Sequence, residues 1–278
     1  MVTISRQDGA GGDEIARLLA EELGWRLLDN ELLERLLVEK GVSQAEVETY
    51  TDRKPNLWQR LSSEKNRYLH FLKMVSYEFA RHEGCVIVGR GGQVMFGNVP
   101  GIIRVRVVAP LQDRVKRARG QFGNDERLAL QAVQHVDEER AGFYRCLLQA
   151  NWDSPALYDL IINTHLVSLR TAADLIEKTL GSKEVAARQK EASRKVADLY
   201  LAEKAAITIL FEEKLPIHSL LVEVENGTVT LKGTARDHPS IERCREVAAG
   251  VFSLSRINNE IHFEPKYVEM LAGIHRGA

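Results

Sequence analysis

Four short runs of near-continuous apolar residues, rich in Val and Ile, punctuate the first 180 residues: 2–5, 85–88, 102–109 and 160–162. A strand with one wet face alternates apolar and polar side chains, whereas a strand covered on both faces has no such need. Such runs predict parallel strands buried between two helical layers, because parallel neighbours require long crossover connections. The segments between them carry helical spacing. Ile15, Leu18, Leu19 and Leu23 precede a terminating Gly24; Leu32, Leu33, Leu36 and Leu37 follow; then come Leu61, Tyr68, Leu72, Val75 and Phe79. Residues 25–28 supply a fifth strand. Residues 41–60 read as polar and irregular around Pro55, and 169–180 as a closing helix stopped by Gly181. The expectation is an α/β domain, three layers deep around a parallel sheet, over residues 1–181.

Beyond it the texture changes. Residues 182–201 are dense in Ala, Lys and Glu and predict a charged, solvated helical connector. Ile207, Leu210 and Leu215 then suggest an amphipathic helix. Val222 and Val224 alternate with Glu223 and Glu225, and Val229 and Leu231 alternate with Thr228, Thr230 and Lys232. Asn226-Gly227 between them signals a hairpin turn, since both residues accept φ > 0. A helix through Ile241, Cys244, Val247 and Val251 and a last strand through Ile257, Ile261 and Phe263 complete the order αββαβ. This is a second, small α+β domain over residues 202–264, followed by a tail at 265–278.

Composition narrows the class. Hydrophobic residues at 44% and charged residues at 28% suit a water-soluble globular chain of 278 residues. A net charge of −1 points away from nucleic acid as a partner. The three cysteines, Cys85, Cys146 and Cys244, are scattered and read as buried thiols of a reducing compartment. His70, His82, His135 and His165 stand alone without metal-ligand spacing, so no metal site of the protein's own is expected. No run approaches the ~18 apolar residues that span a bilayer. The chain opens directly on a strand without a basic and then apolar leader. Together these make the cytoplasm the expected location.

The most informative segment is Ser5-Arg6-Gln7-Asp8-Gly9-Ala10-Gly11-Gly12-Asp13, between the first strand and the first helix. There a doubly wound fold presents backbone N–H groups and a positive helix end to phosphate. Gly9, Ala10, Gly11, Gly12 and Asp13 are the candidate anion-binding residues. A standard phosphate loop, G-x-x-x-x-G-K-[ST], adds a lysine and a hydroxyl. Aligned on the glycines, this chain has Gly12 at the lysine position, then Asp13-Glu14. Arg6 is the nearest replacement cation. Asp13 or Glu14 could reach a magnesium ion through water, or could simply stabilise the positive end of the helix.

Several segments together resemble the cytidylate-kinase-like family, a branch of the P-loop nucleoside monophosphate kinases without the loop lysine. They are Thr3-Ile4-Ser5 with the glycine loop and Glu14-Ile15-Ala16, then Leu27-Leu28-Asp29-Asn30-Glu31-Leu32, Val86-Ile87-Val88-Gly89-Arg90-Gly91, Asp137-x-x-Arg140-x-x-Phe143-Tyr144 and residues 158–164. The resemblance covers about residues 1–180 and implies a P-loop kinase-like sheet, ATP with Mg2+, and a nucleotide substrate. Asp29 matches an acidic residue near the acceptor nucleotide, though it equally suits a helix N-cap. Arg90 matches an arginine that contacts the acceptor phosphate. Arg114, Arg117 and Arg119 open the region matching the lid, or form a solvated helix surface. Arg140 and Arg145, on the following helix, match charge-neutralising arginines, as planar guanidiniums suit a migrating phosphoryl group.

Residues 202–264 resemble a BON domain, on the hairpin Val224-Glu225-Asn226-Gly227-Thr228-Val229-Thr230-Leu231-Lys232-Gly233, the helix after Pro239, and Ile257-x-Asn259-x-Ile261. Such modules imply contact with phospholipid or polysaccharide surfaces. Here ligand sensing or homo-oligomerisation is an equal expectation. Two readings follow for the whole: an enzyme transferring phosphoryl from ATP to CMP or a related monophosphate, with Arg6, Arg140 and Arg145 neutralising charge, or a nucleotide sensor that has lost catalysis.

Overall fold

The computed structural model describes residues 1–50, 62–82, 84–225, 227–252 and 256–264. Pro55, Leu61, Asn226 of the hairpin turn and the tail 265–278 lie outside the described residues. The chain divides into two compact units, Met1–Val196 and Ala197–Ala278.

The first unit holds the five-stranded sheet that the apolar runs demand. Strands β1 (Val2–Arg6), β2 (Arg26–Leu28), β3 (Cys85–Val88), β4 (Ile103–Val108) and β5 (Leu160–Asn163) are all parallel, in the order β2-β3-β1-β4-β5. Between and after them run α1 (Gly12–Leu23), α2 (Asn30–Glu39), α3 (Gln44–Thr49), α4 (Ser62–Ala80), α5 (Gly92–Met95), α6 (Leu111–Ala118), α7 (Glu126–Leu147), α8 (Leu169–Leu180) and α9 (Lys183–Ala186). On one face Val2, Ile4, Val86, Val105 and Val107 pack with Ile15 and Leu19 of α1 and Ala172, Ala173 and Ile176 of α8. The opposite face takes α4 and α5. Gly24 ends α1 in the left-handed region at φ 63°, its N–H returned to the carbonyls of Ala20 and Glu21.

Of the stretch 41–60, the described residues 41–50 are less irregular than expected: α3 begins on a full capping box, Ser43 and Glu46 each bonding the other's backbone N–H. The connector also differs. Instead of separate connector and domain helices, α9 is followed by one long helix, α10 (Gln189–Ile207), which passes into a π turn at Thr208–Glu212. No Gly or Pro interrupts residues 189–213, so nothing stops the helix where the composition shifts.

In the second unit β6 (Ile217–Glu225) and β7 (Thr228–Ala235) are antiparallel, α11 (His238–Phe252) follows, and β8 (Arg256–Phe263) joins β7 in parallel. The alternating Val222, Val229, Leu231 and Ile261 bury against Cys244 and Ala248 of α11 and Ala205, Ala206 and Ile209. Cys85 and Cys244 are buried, and burial pushes both thiols up to about 11; Cys146 is half-buried. Among the described residues no helix is long and apolar enough to cross a membrane.

Two leucines gauge the core. Leu19 is 0% exposed and Leu166 is 89% exposed. Leu19→Ala should cost about 2–5 kcal/mol and Leu166→Ala no more than about 0.5 kcal/mol, read from urea unfolding midpoints.

Candidate functional site

Parallel strands place all their following loops at one edge, and open parallel sheets bind ligands there. The turns after β1, β2 and β3 bring the glycine loop, Asp29 and Arg90 to that edge.

The loop from Gln7 to Gly11 is tightly specified. Gly9 and Gly11 adopt φ of 71° and 84°, in the region glycine enters at least cost. Gly11 is the N-cap of α1 and supplies no side-chain cap, so the first-turn N–H groups of Gly12, Asp13 and Glu14 have no intrahelical acceptor. Three successive carbonyls are held from outside. Arg114 donates to Asp8 O at 3.1 Å, Arg117 to Gly9 O at 3.3 Å and the Thr164 hydroxyl to Ala10 O at 2.8 Å. Ala10 also turns inward: its N–H bonds Gln7 O at 3.2 Å and its methyl joins the core. Arg114 and Arg117 thus brace the loop; Arg119 lies exposed on a short 3-10 turn, Arg119–Phe122.

Gly12 explains the missing lysine. A Cβ there would sit 2.5 Å from Arg6 Cβ and 2.9 Å from its Cγ. The Arg6 stem fills the space in which any side chain at position 12 would begin. Its guanidinium pairs with Asp13, Nε at 3.2 Å and Nη2 at 3.1 Å. Arg140 of α7 donates to Arg6 O at 3.0 Å and lies 3.6 Å from Asp8 Oδ1. The structure therefore brings Arg6, Arg140, Asp8 and Asp13 together at the loop. Arg145 is exposed in the last turn of α7 and takes no part in that cluster.

The two carboxyls respond oppositely. Burial raises Asp8, and Asp137 and Asp13 push the same way against the pull of Arg140 and Arg6, so it stays above its ordinary value. Burial also works to raise Asp13, but the charge and hydrogen bonds of Arg6, helped by Arg140 and Arg17, hold it below.

Asp29 caps α2, its Oδ1 accepting Leu32 N–H at 2.9 Å. Arg90 is 2% exposed at φ 49°, and its guanidinium bonds Asn30, Glu34, the Tyr50 carbonyl and the Tyr68 hydroxyl. It ties α2 to α4, a packing role that its glycine-flanked sequence position did not show.

A buried polar network beside the loop was also missed. Ser5 Oγ accepts Trp152 Nε1 at 2.8 Å; Gln93 bonds the hydroxyls of Tyr144 and Tyr158 at 3.1 and 3.2 Å. Arg106 bonds the Trp152 carbonyl, Tyr158 and Asp153, with its guanidinium 4.4 Å from the Trp152 ring. One signal was available: an arginine inside the apolar run 102–109 needs buried partners.

Comparison with known proteins bears on the first unit as a whole. Residues 1–166 match the family model described as cytidylate kinase-like. A cytidylate kinase of Ignicoccus hospitalis is 26% identical over 181 residues, 65% of this chain and 98% of that protein. A 101-residue stretch is 32% identical to a uronate isomerase of Corynebacterium glutamicum; it makes up 36% of this chain and spans only 20% of that relative's length. A solved structure of an uncharacterized protein from Eubacterium ventriosum shares the fold at a TM-score of 0.52 and 24% identity, covering 66% of this chain and 98% of that one.

Two outcomes test this geometry. Gly12→Ala should destabilise by about 1–3 kcal/mol, whereas Gly142→Ala, with open space around the added methyl, should be neutral or stabilising by up to about 1 kcal/mol. Acid–base linkage gives the second. Asp13, held low when folded, stabilises above its unfolded pKa near 3.8 and loses that contribution as pH falls further. Asp8, held high, costs stability as pH rises above 3.8. Relative to the parent, Asp8→Asn should gain stability between pH 4 and pH 7, and the deficit of Asp13→Asn should shrink below pH 3.8. Urea midpoints across that range read both.

Proposed function

Because the chain belongs to the cytidylate kinase-like family, we propose that it transfers the γ-phosphoryl group of ATP to CMP or a related nucleoside monophosphate. One observation carries this reading: a loop whose carbonyls at Asp8, Gly9 and Ala10 are all tied back, opening on a helix end, with Arg6 and Arg140 packed beside it. Donor phosphates lie on Gly9, Ala10, Gly11, Gly12 and Asp13, attracted by first-turn N–H groups and the helix dipole. Arg6 stands in for the absent lysine from the strand side. Arg140 adds positive charge around the group in transit, where positioning and electrostatics supply most of the acceleration. Asp29 and Arg90 contact the acceptor, Arg90 exchanging part of its carboxylate pairing with Glu34 for the acceptor phosphate. No general base is needed, since that phosphate is already an anion.

The residues fit a magnesium ion arriving on the nucleotide. Such an ion needs only one or two protein carboxylates beside phosphate and water oxygens, and Asp8 and Asp13 have side chains 33% and 42% exposed at the loop. When bound, it would neutralise charge on the β- and γ-phosphate oxygens. The second unit is of BON type in this reading, with residues 182–201 as connector and 202–264 as the module that meets a ligand, lipid surface or second copy.

The Arg6–Asp13 pair supports a second reading, a nucleotide sensor without turnover, because the replacement cation already has an internal anion. A coupled ADP-release assay over a panel of nucleoside monophosphates separates the two. The enzyme reading expects turnover with CMP or a near relative and a loss of about 10²-fold or more in kcat for Arg140→Ala. Binding of ATP without ADP release under any acceptor would leave only the sensor.

A further inference from the structure

Asp137 stands one turn before Arg140 on α7, and the two side chains hold the same stretch of loop. Asp137 Oδ1 accepts the N–H of Asp8 at 2.9 Å, while Oδ2 accepts Arg114 Nη1 at 2.6 Å. Arg114 closes the ring by donating from the same Nη1 to the Asp8 carbonyl at 3.1 Å, and its Nε donates to the Ala109 carbonyl at 3.1 Å. Both peptide groups of one loop residue are therefore fixed by a single ion pair. The pair is well shielded, with side chains 7% and 17% exposed. The backbone of α6 presses on the loop as well: a Cβ on Gly9 would lie 2.7 Å from the Arg114 carbonyl oxygen.

We propose that Arg114 and Asp137 are the positioning residues of the donor-phosphate loop. They set the orientation of the peptides around Asp8 and couple that orientation to α7, the helix that delivers Arg140. This rests on the phosphotransferase reading. Rotation of the Asp8 peptides would turn the following Gly9 N–H away from the anion, so the loop's affinity depends on a contact that touches no nucleotide. Arg140 shares the dependence: Asp8 can face it, at 3.6 Å, only while the Asp8 backbone is held. An i, i+3 pair on one helix face thus registers the cation against the cradle it serves.

The test uses the full chain. Binding of the non-hydrolysable analogue AMP-PNP with Mg2+ is titrated calorimetrically, KM for CMP is taken from ADP release, and amide exchange is followed over residues 7–12. Asp137→Ala should weaken AMP-PNP binding by about tenfold or more, leave KM for CMP within about twofold, and quicken exchange over residues 7–12 alone. Asp137→Asn, which retains an acceptor oxygen for Asp8 N–H, should recover part of the loss. Unchanged AMP-PNP affinity in the folded Ala variant would overturn the proposal. So would equal losses for both nucleotides with exchange raised throughout the unit, the signature of a fold staple. If the Ala variant does not fold, the Asn variant decides on the same criteria. A parent protein that binds no AMP-PNP would remove the kinase reading and this one together, whereas a parent and variant that bind equally would remove only the positioning role.

Discussion

The close approach of the Arg6 stem to Gly12 governs the rest of the site. Two backbones, the end of β1 and the start of α1, come so near that only one of the two positions can carry a side chain. Giving that space to the strand moves the cation from the helix to the opposite wall and makes glycine the residue that fits at position 12. Asp13 then follows as the natural partner of the displaced charge, and Arg140 reaches the carbonyl of the same arginine. Relative to the lysine-bearing pattern, the loop thus shows a rearrangement of charge rather than its loss.

The sheet's two faces do different work. Toward α1 and α8 it is apolar, while toward α5 and the segment around Trp152 it carries Ser5, Arg106 and their partners. Burying such groups is costly unless each is bonded. Here indole, hydroxyl, amide and guanidinium answer one another across β1, β4 and the residues before β5. That wall includes Ser5, the residue before Arg6 at the strand end where the loop begins.

Much of this architecture was legible in the sequence, for physical reasons. Strands covered on both sides are largely apolar, so the runs at 85–88 and 102–109 identified themselves despite Arg104 and Arg106, and Gly24 marked a helix end by its conformational freedom. The short helix α3 runs against the irregular reading of its segment: Ser43 and Glu46 stand at capping-box spacing, but the polar surroundings hid that signal. The role of Arg90 was not legible, because its partners lie 22 to 60 residues away and only the fold assembles them. The same holds for Arg114 and Arg117: helical spacing alone cannot tell a solvated arginine from one that holds a loop carbonyl.

Arg90 sits between Gly89 and Gly91, and all three have left-handed φ values of 73°, 49° and 78°. For the arginine this conformation is strained by roughly 1–2 kcal/mol, and its ring of acceptors outweighs the strain. Replacing it with glycine would relax the backbone while deleting the guanidinium, whereas alanine would delete the guanidinium and keep the strain. The same lost contacts would then register as two different penalties, so the apparent tolerance of position 90 depends on the substitute chosen as much as on the residue removed.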